Sequence, residues 1–359
     1  GQHLVTGSSD GKARLWTIAG RKYATLRGHQ APITDLQWSP NGRYIGTASV
    51  DTTAKIWDQS GQILATLRGH DNWVRSIQFH PTLDLIATAS RDSTIRLWNY
   101  GGEAVALAKG HQNWIRTIQF SPDGQYLLSA SRDHTARLWQ LNGQEFAILQ
   151  GHRGWVRTAQ FSPNSQTIVT ASMDGTARLW DLTGKSLVVF QGHQEGLKSA
   201  QFSPDGQTII TSSDDRTIQL WHIQGKHLAT LQGHQKAVNE ALFSPNGQLI
   251  VSTSADSTIR LWSRSGKPLV ILRSHQKEVY QAVFHPNGRL LVTSSADHTA
   301  RLWNLSEKGI ITLRGHSHWV RTAHFYHNGL RILTASRDKT ARLWDEKGKL
   351  LLTLEGHQG

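Results

Sequence analysis

The sequence has no cysteine, a single methionine and only nine prolines in 359 residues. Without cysteine there can be no disulfide and no thiolate metal cluster, so burial and hydrogen bonds must hold the fold. No apolar stretch approaches the roughly 18 residues that a membrane-spanning helix needs, and the N-terminus lacks a secretion-signal pattern. The expectation is a soluble, cytoplasmic protein without membrane attachment. Phosphate-binding loops, dinucleotide fingerprints and histidine pairs at metal-ligand spacing are missing too, which argues against an enzyme and against any cofactor or metal. Acidic residues are scarce: 26 Asp and Glu stand against 39 Lys and Arg, a net charge of +13 and a pI near 10.1. That excess suggests an anionic partner.

What the chain does have is a repeat. A histidine, preceded by Gly or once by Ser, recurs at His29, His70, His111, His152, His193, His234, His275, His316 and His357. A tryptophan recurs at Trp16, Trp57, Trp98, Trp139, Trp180, Trp221, Trp262, Trp303 and Trp344, and every step in both series is 41 residues. Length alone would suggest two or three domains, but one repeat array can use the whole chain. Within the unit that begins at His111, alternation and turn residues predict strands at Trp114–Phe120, Tyr126–Ala130, Ala136–Trp139 and Glu145–Leu149. The turns between them are Ser121-Pro122-Asp123-Gly124, Arg132-Asp133 and Asn142-Gly143. Four short antiparallel strands in a repeat of about 40 residues form a propeller blade. Stacked blades bury the faces that one sheet cannot bury by itself.

Gly-His, Ser-Pro-Asp-Gly, Ser-x-Asp and Trp-Asp together resemble the WD-repeat family over essentially the whole chain. The literal Trp-Asp pair stands at Trp57-Asp58, Trp180-Asp181 and Trp344-Asp345. The uniformity of the units is similar to that of WD-repeat arrays in bacterial proteins, where a propeller often accompanies a signalling NTPase or protease domain. The resemblance implies an all-β, β-propeller fold of four-stranded antiparallel blades in one domain, 1–359. Eight blades are complete between about residues 31 and 354, and residues 1–27 supply three strands of another. A nine-bladed propeller is favoured, in which His357 meets Ser8, Asp10 and Trp16. The alternative is eight blades with a loose N-terminal segment. Nine full units would need 369 residues, so the ninth blade lacks its first strand or takes it from elsewhere. Two turns depart from the pattern, at Pro81-Thr82-Leu83 and Pro163-Asn164-Ser165, and strands are expected to form around both.

Two recurring sets have structural explanations. Arg14, Lys55, Arg96, Arg137, Arg178, Arg260, Arg301 and Arg342 precede the repeat Trp by two residues, with Gln219 the exception. A long stem at a fixed strand position lies along apolar neighbours. The second set imitates a catalytic triad: each unit has His, Ser and Asp at constant offsets, such as His111, Ser131 and Asp133. Nine equal active sites are implausible, whereas a chain of bonds from indole to Ser to imidazole to Asp would satisfy four groups buried by packing. The resemblance implies such a tetrad. The other histidines, among them His3, His80, His222, His285 and His327, do not recur at one offset.

Function is therefore sought where the units differ. The entry to the first strand reads Trp73-Val74-Arg75, Trp114-Ile115-Arg116, Trp155-Val156-Arg157 and Trp319-Val320-Arg321 in four units. The residue before the repeat Asp is Arg91, Arg132 and Arg337 in three of these, and Met173 in the fourth. Alternating strand direction places both positions on one rim, the top face. Flat indoles beside guanidinium forks suit a binding surface, while repeat duplication with local Arg–Trp stacking would leave the same pattern. The leading expectation is a non-catalytic scaffold or sensor module that binds an acidic protein or peptide there. Nucleic acid is the second candidate, and an array with no isolated activity the third. Oligomeric state is not legible.

Overall fold

The computed structural model describes residues 3–17, 22–306, 309–326, 330–355 and 357. They form nine antiparallel sheets, each with its strands in chain order. Eight sheets have four strands, at 33–67, 74–109, 115–149, 156–191, 197–231, 238–273, 279–313 and 320–354, here blades one to eight. The ninth has three described strands, His3–Gly7, Lys12–Thr17 and Lys22–Arg27. This is the nine-bladed reading, and the N-terminal residues form paired strands rather than a loose segment. Contacts group the chain into two compact units, 1–189 with 357–359, and 190–356.

Burial follows strand position. In blade three the second strand, Leu127–Ser131, is buried at all five residues, while the outer strand Glu145–Leu149 buries alternate ones. The core lies between neighbouring sheets. Leu85, Ala87 and Ala89 of blade two pack against Ile115, Ile118, Phe120 and Trp139 of blade three. In the second unit Ile210 and Leu220 of blade five meet Val238, Phe243 and Trp262 of blade six in the same way. A repeat Trp sits in each cluster at 1% exposure, and indoles bring the largest apolar area a single side chain can bury.

The strands expected at Trp114–Phe120 and Tyr126–Ala130 are observed at Ile115–Phe120 and Leu127–Ser131, and the other two coincide with expectation. Trp114 drops out of the strand because it belongs to the turn: its N–H is held by Asn113 Oδ1 at 2.7 Å. Both irregular turns still lead into strands, as expected. At Pro81, the His80 ring nitrogen Nδ1 accepts from the Thr82 and Leu83 N–H groups at 3.1 and 2.9 Å. Ser165 takes the left-handed conformation, φ 60°, that Gly supplies at the matching Gly124, φ 75°. Each first strand has a bulge just inside its entry, between Ile115 and Thr117 in blade three and between Val74 and Ser76 in blade two. The residues left unpaired there are Arg116 and Arg75. Bulges re-aim side chains, and here they turn the arginines of the rim. The repeated arginines behave as expected of long stems. Arg96 lies over Gly69, where a Cβ would come 2.8 Å from its Nη1 and where φ is +145°.

Candidate functional site: a tryptophan–arginine rim

Each blade carries the expected polar tetrad, but with a different hydroxyl. In blade three Trp139 Nε1 donates to Ser129 Oγ at 2.8 Å and His111 Nε2 lies 2.7 Å from the same oxygen. His111 Nδ1 meets Asp133 Oδ2 at 2.6 Å. Ser131, the expected member, instead donates to the Asn113 carbonyl at 2.9 Å and accepts from the Asp133 N–H. Register explains the correction. Ser129 pairs with Arg137, one diagonal step from Trp139, whereas Ser131 lies two residues further along the strand, about 7 Å beyond the indole's reach. The same column supplies Thr47, Thr88, Thr170, Thr211, Ser252, Thr293 and Thr334. In blade nine, Trp16 donates to Thr6 at 3.0 Å and His357 Nε2 lies 3.0 Å from that hydroxyl. His357 also contacts Asp10 at 3.5 Å and Arg14. His357 thus completes a tetrad through Thr6, in place of the expected Ser8.

Burial holds His111 below the usual imidazole range despite the opposing pull of Asp133. Burial would raise the Asp133 carboxyl, but bonds from His111, Thr135 and the Gln112 N–H hold it well below the usual carboxylate range. The order Asp, imidazole, hydroxyl is that of a catalytic triad, but Ser129 is 0% exposed and its oxygen already accepts the Trp139 N–H, so no substrate can reach it. The tetrad is chemically saturated. Among the described residues no group of three or more His, Asp or Glu is placed to hold a metal. His327 lies outside the described residues.

The rim is the opposite case. The Arg91 and Arg132 N–H groups donate to the Trp73 and Trp114 carbonyls, both at 3.0 Å, and Met173 does the same to Trp155 at 2.9 Å. So fixed, the side chains of blades two to four interleave. The Arg91 guanidinium lies 3.7 Å from the Trp73 ring centre and 4.1 Å from that of Trp114. Arg132 lies 4.4 Å from Trp114 and 4.3 Å from Trp155. The result is one ladder, Trp73–Arg91–Trp114–Arg132–Trp155. Trp73 and Trp155 remain 37% and 42% exposed. Arg75, Arg116 and Arg157 stand beside it at the strand entries, with Arg157 Nη1 3.5 Å from the Met173 sulfur.

None of Arg75, Arg91, Arg116, Arg132 and Arg157 has a carboxylate within ion-pair distance among the described residues. The buried Nε atoms of Arg91, Arg116 and Arg132 have no hydrogen-bond partner. Burial, then the charges of Arg157, Arg75 and Arg132, lower Arg116 to about 10. Arg91 is lowered by burial and by Arg75 and Arg132. In the second unit Arg337 lies 5.2 Å from the Trp319 ring, and Arg321 lies 4.9 Å from Tyr280 and 5.9 Å from Trp319. Tyr280 is the rim residue that sequence reasoning missed. It occupies the column of Arg321 one unit earlier, and an aromatic at that offset was the available signal. Other rims of this unit differ: Lys198 Nζ pairs with Asp214 at 2.7 Å, and the neutral Asn239 Nδ2 donates to the Glu278 carboxylate at 2.9 Å.

Stacked antiparallel blades, saturated tetrads and an unsaturated rim define a propeller-type interaction module. A family model described as the IFT122 first beta-propeller matches residues 99–311. The WD40 model, "WD domain, G-beta repeat", matches 20–58, 61–99 and 307–345. The chain belongs to the WD-repeat β-propeller family, whose propellers generally serve as protein-interaction scaffolds. F-box-like/WD repeat-containing protein TBL1X of Mus musculus is 49% identical over 45 residues, 12% of this chain and 8% of that protein. Ribosome assembly protein 4 of Chaetomium thermophilum is 44% identical over 43 residues, again 12% and 8%. These alignments therefore span under a tenth of either relative, about one repeat. The crystal structure of the computationally designed Ika8 protein is similar with a TM-score of 0.74 and 28% identity, covering 91% of this chain and 100% of that one. No helix among the described residues is long and apolar enough to cross a membrane.

Proposed function

We propose that the rim of blades two to four binds an acidic segment of a partner protein, with Trp73, Arg75, Arg91, Trp114, Arg116, Arg132, Trp155 and Arg157 as the contact residues. Trp319, Arg321 and Arg337 form a second, smaller set of the same kind. The observation that carries this reading is the accumulation of guanidinium groups none of which has an ion-paired carboxylate among the described residues, Asp35 acting on Arg75 only from beyond that distance. An anion that enters gains charge-assisted, planar hydrogen bonds from groups that are already ordered. The ladder supports the acidic segment over nucleic acid. Single-stranded nucleic acid binds by stacking bases on open aromatic faces. Here Trp114 is covered on both faces by guanidinium groups and Trp73 and Trp155 on one each. What stays open is the edge of each guanidinium, which suits a carboxylate.

The test is fluorescence anisotropy with a labelled glutamate-rich peptide and a labelled single-stranded oligonucleotide, titrated with the chain at several salt concentrations. Peptide binding that disappears in the Arg116→Glu, Arg132→Glu double variant is expected. Oligonucleotide binding with a steep salt dependence and no peptide binding would sink the proposal in favour of nucleic acid.

A further inference from the structure

The ladder holds its two sandwiched arginines at a fixed separation, and that separation is a ruler. Arg91 sits 4.1 Å from one face of Trp114 and Arg132 4.4 Å from the other, so their charges stand roughly 8 Å apart. Arg75 and Arg116, unpaired at the bulges of the same two blades, stand at the strand entries beside them. Blades two and three therefore present two stacked guanidinium groups at a fixed spacing. We infer that the ligand is an extended segment with acidic side chains two residues apart, one carboxylate meeting Arg91 and the other Arg132. This rests on the acidic-segment reading above and adds conformation and spacing to it.

In an extended chain alternate side chains lie on one side, about 7 Å apart. The reach of an Asp or Glu side chain closes the remaining distance. Directly adjacent acids point to opposite sides of the strand, so only one of them can meet the ladder. The residue between the two acids faces away and is unrestricted. Acids four apart on a helix have Cβ atoms about 5–6 Å apart and bring the bulk of the helix onto the exposed edges of Trp73 and Trp155. A second copy of this chain does not supply the motif, because no two acidic residues in the sequence are separated by a single residue.

Calorimetric titration of the full chain with peptides of equal charge tests this. One peptide carries Glu-Ser-Glu in a helix-blocking, proline-flanked context. A second carries Glu-Glu-Ser in the same context, a third places Glu four residues apart in an alanine-rich helix, and a fourth has no acid. The alternating peptide should bind about tenfold more tightly than the other acidic ones, and Arg91→Gln or Arg132→Gln alone should erase that preference while leaving weaker binding. Equal affinity for the three acidic peptides, or preference for the helical one, overturns the spacing but leaves the acidic-segment reading standing. No binding by any acidic peptide removes both. The peptide series on the unaltered chain decides the matter even if an arginine variant fails to fold.

Discussion

The tetrad and the rim lie on the same loops of the same blades, yet they treat polar groups in opposite ways. In blade three His111, Ser129, Asp133 and Trp139 satisfy one another completely, and His111 is 5% exposed. Beside them Arg116 and Arg132 keep buried Nε atoms without partners, and burial and then the charges of Arg157, Arg75 and Arg132 lower Arg116. The tetrad contains the residue types of catalysis but buries its hydroxyl completely, Ser129 being 0% exposed. The rim leaves the Nε donors of Arg91, Arg116 and Arg132 unmatched. Residue type is thus a poor guide to function in this chain. Unmatched Nε atoms alone are no better, since the structural Arg96, Arg137, Arg178, Arg260 and Arg342 carry them too; what sets the rim apart is the stacking of Arg91 and Arg132 between indoles.

The comparison can be broken with acid. The tetrads should respond to pH and the rim should not, since arginine does not titrate below neutrality. Burial lowers His111, His193, His275 and His316, and it lowers His357 to about 4. Only the neutral imidazole fits the fold, so below the ordinary value near 6.5 the unfolded chain takes up protons that the folded chain refuses, and stability falls with pH. The tetrad aspartates act in the same direction. Asp51, Asp92, Asp133, Asp174, Asp256 and Asp297 are held below the usual carboxylate range. The stability they contribute is present above about pH 4 and lost beneath it. Urea midpoints should be flat above pH 7, decline from 6.5 to 4 and drop steeply lower, the largest effect expected here. A midpoint that rises as pH falls from 7 to 5 would contradict the neutral-imidazole assignment.

Next in size is Ser129→Ala, which strips the Trp139 N–H and the His111 ring of their shared partner and should cost about 3 kcal/mol in urea unfolding. Ser131→Ala should cost about 1 kcal/mol, since Ser131 bonds only backbone groups at the edge of the turn. Neither should change affinity for an acidic peptide. If Ser131 proved the costlier, the register argument for the tetrad would fail.

That distinction also marks how far the sequence could be read. The period, the four strands per unit and the saturated character of the His–Asp pair were legible, because identical spacing repeated through the chain leaves little freedom. The hydroxyl was not. The column of Ser131 is Ser in every unit, while the column of Ser129 alternates between Thr and Ser, so uniformity pointed to the wrong oxygen and only strand register corrects it. At the rim, the joint occurrence of Trp and Arg within a unit was visible. That Arg91 reaches Trp114 in the following blade was not, because that contact depends on how neighbouring sheets pack. The bulges that turn Arg75 and Arg116 leave no trace in composition, since the bulged column holds Thr, Arg, Lys, Asn and Tyr in different units.

Blade five offers a way to make blade three behave like its neighbour. Lys198 and Asp214 occupy the columns of Arg116 and Arg132 and pair at 2.7 Å. The double variant Arg116→Lys, Arg132→Asp copies that pair into the middle of the ladder. It should weaken acidic-peptide binding about a hundredfold, by removing two forks and adding a like charge. Stability should change by less than about 1 kcal/mol, because exposed pairs and stacked cations each contribute that little. Unchanged affinity would show that the peptide does not touch these residues.

The reverse exchange is the smallest effect and the most discriminating. Asp214→Arg frees Lys198 from its carboxylate and gives blade five the charge of an arginine rim without its tryptophans, since the entry residue there is Gly196. If charge alone makes the rim, the variant should bind acidic peptides as well as a gain of two positive charges allows. If the indoles matter by holding each guanidinium flat and ordered, the gain should be only about two- to threefold and should vanish near 0.5 M salt, as expected of mobile surface cations. We expect the second outcome. The ladder pays the ordering entropy of Arg91 and Arg132 before any ligand arrives, and an arginine beside a glycine does not. A gain of tenfold or more that persists in salt would show that stacking contributes nothing and would reduce the ladder to a by-product of repeat packing.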